Sequence, residues 1–189
     1  MIEVISGTDR PGSVSVQISR YVVSKYEKYG QAAQLLDLAQ LNLGDANGGG
    51  YYQGAKGTFR EGVDRVTTAE GLVVVVPEYN GSFPGILKLF IDYWQYPRSF
   101  ESRPIAFIGL GGRWGGLRPV EHLQQVFSYR NGYLFPNRVF MSNVKESVKE
   151  GRVVDPMLDE LLDIQTKEFC SFLRALKSEK LDANSRLNT

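Results

Sequence analysis

Leu72-Val73-Val74-Val75-Val76-Pro77 is the most constraining stretch of this chain. Successive side chains in a strand point to opposite faces, so a run without a polar residue needs apolar cover on both sides. Its β-branched valines favour the extended backbone. The run is far short of the ~20 residues that cross a bilayer. It predicts an inner strand of a sheet sandwiched between two layers of helices.

Strand-like and helix-like segments alternate along the rest of the chain. Residues 2–6 are a short apolar run stopping at Gly7, and residues 33–38 and 104–110 are similar. From residue 14 to 29, Val14, Ile18, Tyr21, Val22 and Tyr26 recur at helical spacing, with Gly30 as a C-cap candidate. Helices are also expected at 82–96, capped by Ser82 with Pro84 in the first turn, at 115–130 and at 156–177, with a fifth strand at 138–141. Alternation of this kind predicts an α/β fold: a flavodoxin-like, five-stranded parallel sheet of order 2-1-3-4-5 with helices on both faces.

At 189 residues, with 42% hydrophobic and 23% charged residues, the chain is expected to be a single domain over 1–189, with a frayed tail from about 178 to 189. Its 22 basic and 21 acidic residues leave a net charge of +1, which argues against a nucleic-acid or membrane partner. Cys170 is the single cysteine, and the N-terminus runs straight into a strand, features that point to the cytoplasm.

In an open parallel sheet, ligands bind beyond the carboxyl ends of the strands where the strand order reverses. The first loop there is Gly7-Thr8-Asp9-Arg10-Pro11-Gly12-Ser13-Val14-Ser15. It leads into a helix N-terminus, whose unpaired amides and roughly half a positive charge favour an anion. Gly7 and Gly12 admit close approach, Thr8, Ser13 and Ser15 supply hydroxyls, and Arg10 supplies a guanidinium. The glycine spacing is that of a P-loop, but Ser13 and Val14 stand where its Lys and Ser/Thr would be. A monophosphate suits the loop better than a triphosphate.

The second loop, Pro77-Glu78-Tyr79-Asn80-Gly81-Ser82-Phe83-Pro84, continues through Gly85-Ile86-Leu87-Lys88 to Ile91-Asp92-Tyr93-Trp94. This stretch resembles the NADPH-dependent FMN reductase family, which includes quinone, chromate and azo-dye reductases. The first loop fits that family's Gly-Ser/Thr-x-Arg-x-x-Ser pattern, and Gly111-Gly112-Arg113-Trp114-Gly115-Gly116-Leu117-Arg118 is similar to its third, glycine-rich flavin loop. Together the likeness runs from the first strand to about residue 150.

The resemblance implies bound FMN, with NADPH or NADH as co-substrate. The FMN site it implies comprises Thr8, Arg10, Gly12, Ser13, Val14 and Ser15 around the phosphate, Pro77, Glu78, Tyr79, Asn80, Gly81 and Ser82 at the ring, and Gly111, Gly112 and Gly115 beyond it. The activity implied is transfer of hydride from NAD(P)H through FMN to a quinone, azo compound, metal oxyanion or flavin. Because the cofactor carries the difficult chemistry, no catalytic side chain or metal is required of the protein.

Other residues carry less. Gly109-Leu110-Gly111-Gly112-Arg113-Trp114 begins like a dinucleotide fingerprint but has Trp114 at the third glycine. Relatives often end this strand in Ser or Thr; here Gly109-Leu110 leaves backbone donors only. Arg113 or Arg118 is a candidate for the 2′-phosphate of NADPH, although a solvated surface arginine is the favoured reading. His122, the only histidine, reads as structural, and Cys170 as a buried, inert thiol. The glycine-rich loop Gly48-Gly49-Gly50-Tyr51-Tyr52 is a candidate lid or a disordered insertion. Ile86, Leu87, Leu89, Phe90, Ile91, Tyr93 and Trp94 exceed one core-facing stripe, which predicts a homodimer or homotetramer. A flavin-binding electron carrier or sensor without pyridine-nucleotide turnover is the competing function.

Overall fold

The computed structural model describes residues 1–46 and 51–186. Its elements in chain order are β1 (Ile2–Ser6), α1 (Val14–Lys28), β2 (Ala33–Asp37), two short 3-10 turns, α2 (Tyr51–Gly54), α3 (Gly57–Thr68), β3 (Gly71–Pro77), α4 (Gly85–Asp92) and β4 (Pro104–Leu110). There follow α5 (Leu117–Tyr129), β5 (Tyr133–Leu134), β6 (Val139–Met141), α6 (Val144–Ser147), β7 (Val148–Lys149), β8 (Arg152–Val153), α7 (Pro156–Ser178) and α8 (Ala183–Arg186). The main sheet has the order β2-β1-β3-β4-β5, all parallel, with β6 also beside β4. This is the expected flavodoxin-like order.

Val73, Val74, Val75 and Val76 are all fully buried, and the pleat sends them alternately to the two sides. Val74 and Val76 join Phe59, Phe90 and Phe127 beneath α3, α4 and α5. Val73 and Val75 join Val22, Leu162 and Phe169 beneath α1 and α7. Cys170 is 3% exposed in that second layer, and burial pushes its thiol up.

Two buried cations tie elements together around the sheet. Lys25 of α1, 5% exposed, reaches Asp159 at 2.6 Å and Asp163 at 2.8 Å on α7. Burial works against its charge, but these carboxylates outweigh it and hold the ammonium above its ordinary value. Arg103, fully buried before β4, donates to the carbonyls of Ala69, Thr67 and Arg98 and to Asn184 Oδ1. Burial draws its guanidinium down to about 10.

Several boundaries differ from expectation. The fifth strand comes in two pieces, β5 and β6, rather than as one strand at 138–141. Gln165 of α7 occupies the break, donating to Phe107 O at 3.0 Å and Asn137 O at 2.8 Å. Helix α4 starts at Gly85, not Ser82, because residues 79–82 close a tight turn, and it ends at Asp92 rather than Tyr96. Where a frayed tail is expected, α8 lies against Arg103 through Asn184, and Arg186 reaches Ser102 Oγ at 3.2 Å. Gly48, Gly49 and Gly50 of the candidate lid lie outside the described residues. Tyr52 is held down, its hydroxyl 3.0 Å from Asp64 and its ring 3.8 Å below Arg60.

The apolar side chains of α4 are spent inside the chain: Ile86, Leu87, Phe90, Ile91, Tyr93 and Trp94 are all buried, and only Leu89, 37% exposed, faces outward. No helix among the described residues is long and apolar enough to cross a membrane.

Candidate functional site

Strands β1, β3 and β4 lie side by side at the centre of the sheet, so the loops at their carboxyl ends converge. Gly7 N donates to Val75 O at 2.9 Å, carrying the β1–β3 pairing one residue into the first loop. Ser13 caps α1, its hydroxyl accepting from Val16 N at 3.2 Å. That leaves the amides of Val14 and Ser15 without a backbone partner, as α-helical geometry dictates. The first turn of α1 carries no acidic residue, while Lys25 and Lys28 occupy the last, so the positive end of the helix is uncompensated. Gly12 has φ +63 and open space where a Cβ would stand. Arg10 is exposed beside it. Amides and a guanidinium unspent among the described residues, with a glycine cradle, fit a phosphate monoester of the kind FMN carries.

Thr8 is fully buried and holds the loop from within. Its hydroxyl accepts from Arg10 N at 3.3 Å and lies 2.9 Å from Tyr79 Oη. The loop after β3 is a two-residue turn: Tyr79 and Ser82 exchange backbone bonds of 2.8 and 3.0 Å, and Asn80 and Gly81 take φ +51 and +77. Glu78 N is spent on Leu110 O at 2.9 Å. Of the amides expected to meet the flavin ring, those of Glu78, Tyr79 and Ser82 are therefore engaged, and those of Asn80 and Gly81 remain. Tyr79 keeps 37% of its surface exposed, enough to offer a ring face to a planar ligand.

The third loop folds back over the end of β4. A Cβ on Gly109 would meet Gly115 O at 2.7 Å, on Gly111 it would meet Gly116 N at 2.6 Å, and on Gly116 it would meet Leu110 N at 2.5 Å. Such contacts exclude any side chain at these positions. Glycine at 109 is thus explained by backbone crowding. Gly111 N is bound to Met141 O at 3.2 Å, whereas the amides of Gly112 and Gly115 make no backbone bond among the described residues.

Ser82, expected to cap α4, instead meets His122 Nδ1 at 2.9 Å. Arg118, one turn before His122 on α5, brings Nη1 to 3.4 Å from the point a Cβ on Gly81 would occupy. The reading of His122 as structural is compatible with this pairing but did not foresee it. The available signal was the four-residue spacing of Arg118 and His122, which sets both on one helix face just after a loop expected to touch the cofactor. A groove of about 980 Å³ lies elsewhere, between α4 and α5, and includes Ile91, Trp94, Tyr96 and Tyr129 but no residue of the three loops.

Comparison with known proteins bears on the family and the fold. A family model described as NADPH-dependent FMN reductase matches residues 1–146, the part that carries all three loops. An NAD(P)H-dependent FMN reductase of Pseudomonas aeruginosa is 27% identical over 178 residues, covering 92% of this chain and 95% of that protein. An FMN-dependent NADPH-azoreductase of Staphylococcus aureus is 24% identical over 139 residues, 72% of this chain and 73% of its own. Among solved structures, the flavoenzyme NAD(P)H:(acceptor) oxidoreductase FerB from Paracoccus denitrificans has a TM-score of 0.74 at 20% identity, covering 92% of this chain and 97% of that one. Megasphaera elsdenii flavodoxin has a TM-score of 0.57 at 12% identity, covering 88% and 99%. These two likenesses are of fold. The family match extends over most of the sequence and over every loop just described, and on that ground the chain belongs to the NADPH-dependent FMN reductase family.

Proposed function

We propose that this FMN-dependent NAD(P)H oxidoreductase holds its cofactor across the three loops and delivers electrons to a small acceptor: a quinone, azo compound, metal oxyanion or free flavin. The observation that carries the reading is the set of unspent backbone donors at one sheet edge, those of Val14 and Ser15 at the start of α1 and those of Asn80 and Gly81 in the turn after β3. Bound FMN supplies the two-electron chemistry, and the protein supplies binding and orientation. Ser13, Ser15 and Arg10 hold the phosphate end. Thr8 fixes that loop to Tyr79, whose ring would offer the cofactor a flat face. The Asn80 and Gly81 amides would donate to the ring system, where preorganised donors favour developing negative charge. Gly112 and Gly115 would let backbone approach the ring closely.

The protein acts in the cytoplasm as a homodimer or homotetramer. Exposed Tyr96 and Tyr129 line the groove between α4 and α5, and a second copy would cover them. Light scattering on the eluted peak of a sizing column tests this, and a monomer overturns it.

The enzymatic test is steady-state oxidation of NADPH and NADH by FMN-loaded protein with a quinone and an azo dye. Parallel initial-rate lines are expected, because nucleotide and acceptor occupy the same site in turn. Protein that fails to retain FMN and shows no acceptor-dependent oxidation would contradict the proposal.

A further inference from the structure

We propose that Arg118, with His122 one turn later on α5, is a subsite for the 2′-phosphate of NADPH. This rests on the function proposed above and adds the residue that separates the two pyridine nucleotides. They differ only in a phosphate on the adenosine ribose, so discrimination needs a cation beside the flavin loops that no carboxylate already neutralises.

Few cations at this edge qualify. Lys88 is paired with Asp92 at 2.6 Å; Arg138, though not neutralised, is engaged by Gln124 at 3.0 Å, and Arg113 by the Trp114 ring at 4.9 Å. Arg10 belongs to the loop that takes the FMN phosphate. Arg118 lies against the second loop, made possible by Gly81: Nη1 is 3.4 Å and Cδ 4.0 Å from where a side chain there would begin. It joins none of the ion pairs among the described residues, although Glu121 is only three positions on. Arg118 is exposed, so an incoming nucleotide meets it without rearrangement.

His122 shares the helix face with Arg118, their Cβ atoms about 5–6 Å apart by helical geometry. The bond between Ser82 Oγ and His122 Nδ1 orients the ring and leaves Nε2 for a ligand. A guanidinium fork takes two phosphate oxygens and the imidazole a third. Trp114, 57% exposed, stands on the same rim, its carbonyl accepting from Leu117 N at 3.0 Å and its indole stacked with Arg113 at 4.9 Å. The indole face opposite Arg113 would give an adenine a flat surface, which favours a nucleotide over inorganic phosphate.

The test uses FMN-loaded wild type and Arg118→Gln, titrated calorimetrically with 2′,5′-ADP and 5′-AMP and assayed with NADPH and NADH. Wild type is expected to bind 2′,5′-ADP at least about tenfold more tightly than 5′-AMP, the scale of one charge-assisted contact. The substitution is expected to remove most of that preference and to raise the ratio of KM for NADPH over KM for NADH by about tenfold, with Arg118→Lys restoring part of it. Equal affinity for the two ligands in wild type, or an undiminished preference in Arg118→Gln, overturns the subsite. Absence of turnover with both nucleotides overturns the functional reading instead, and the calorimetric comparison still decides the subsite.

Discussion

Thr8 Oγ1 and Tyr79 Oη lie 2.9 Å apart, joining the loop after β1 to the loop after β3 by a direct side-chain bond. Two loops far apart in sequence are thus linked directly. Tyr79→Phe removes the bond while keeping the ring, and apoprotein stability is expected to fall by about 0.5–1.5 kcal/mol. Chemical denaturation without FMN measures it, and an unchanged midpoint would show that the two loops are not coupled this way.

Arg10 is exposed at the phosphate end of the proposed site. Arg10→Ala is expected to weaken FMN retention by ~1.5–3 kcal/mol, the worth of a charge-assisted hydrogen bond, with little effect on the stability of the apoprotein. Fluorescence titration of FMN reads this directly. Undiminished affinity would put the phosphate anchor elsewhere.

Gly12 and Gly116 both have positive φ, +63 and +79, but differ in their surroundings. Gly12 faces open space, so Gly12→Ala bears only the backbone penalty of about 1–2 kcal/mol. At Gly116 a Cβ would stand 2.5 Å from Leu110 N, and the third loop must lift off β4. Gly116→Ala is expected to cost more than about 3 kcal/mol and to abolish FMN binding. Comparable melting temperatures for the two variants would refute the contrast.

Asp159 joins α7 to α1, accepting from Lys25 and Tyr21. Burial raises its carboxyl, but Lys25 and Tyr21 together hold it below its ordinary value of 3.8. A carboxyl depressed in the folded state stabilises above the unfolded value and loses that stabilisation as pH falls through the folded one. Asp159→Asn should therefore cost ~1–2 kcal/mol at neutral pH, allowing for screening of a partly exposed group. The gap from wild type should close below about pH 3.8, as thermal melts from pH 3 to 7 would reveal; a gap constant across that range would rule out the carboxylate as its source.

The central sheet was legible because its signals are local. Val73 to Val76 need cover on both faces whatever surrounds them, and Ser13 caps α1 through residues immediately beside it. The chain placed all three loops at one edge once the strand order was inferred. Partnerships across long separations were not legible: Ser82 with His122 on another helix, Thr8 with Tyr79, and Gln165 with the gap between β5 and β6. Ser82 looks like a cap in its own neighbourhood, and only the closure of the turn at residues 79–82 turns its hydroxyl toward α5. Nor could composition reveal that the apolar excess of α4 is absorbed by Phe59, Phe100 and Phe127 within one chain.

The gap that Gln165 fills also bears on how the folded chain avoids its neighbours. An uninterrupted outer strand displays a row of unpaired amides and carbonyls on which another molecule can build, the first step toward fibrils. Here that side of the sheet ends in pieces of two and three residues, one carbonyl in the break already claimed by a side chain from α7. A passing strand finds no continuous row to pair with. The most aggregation-prone segment, the valine run, stays two strands inward from that guarded margin.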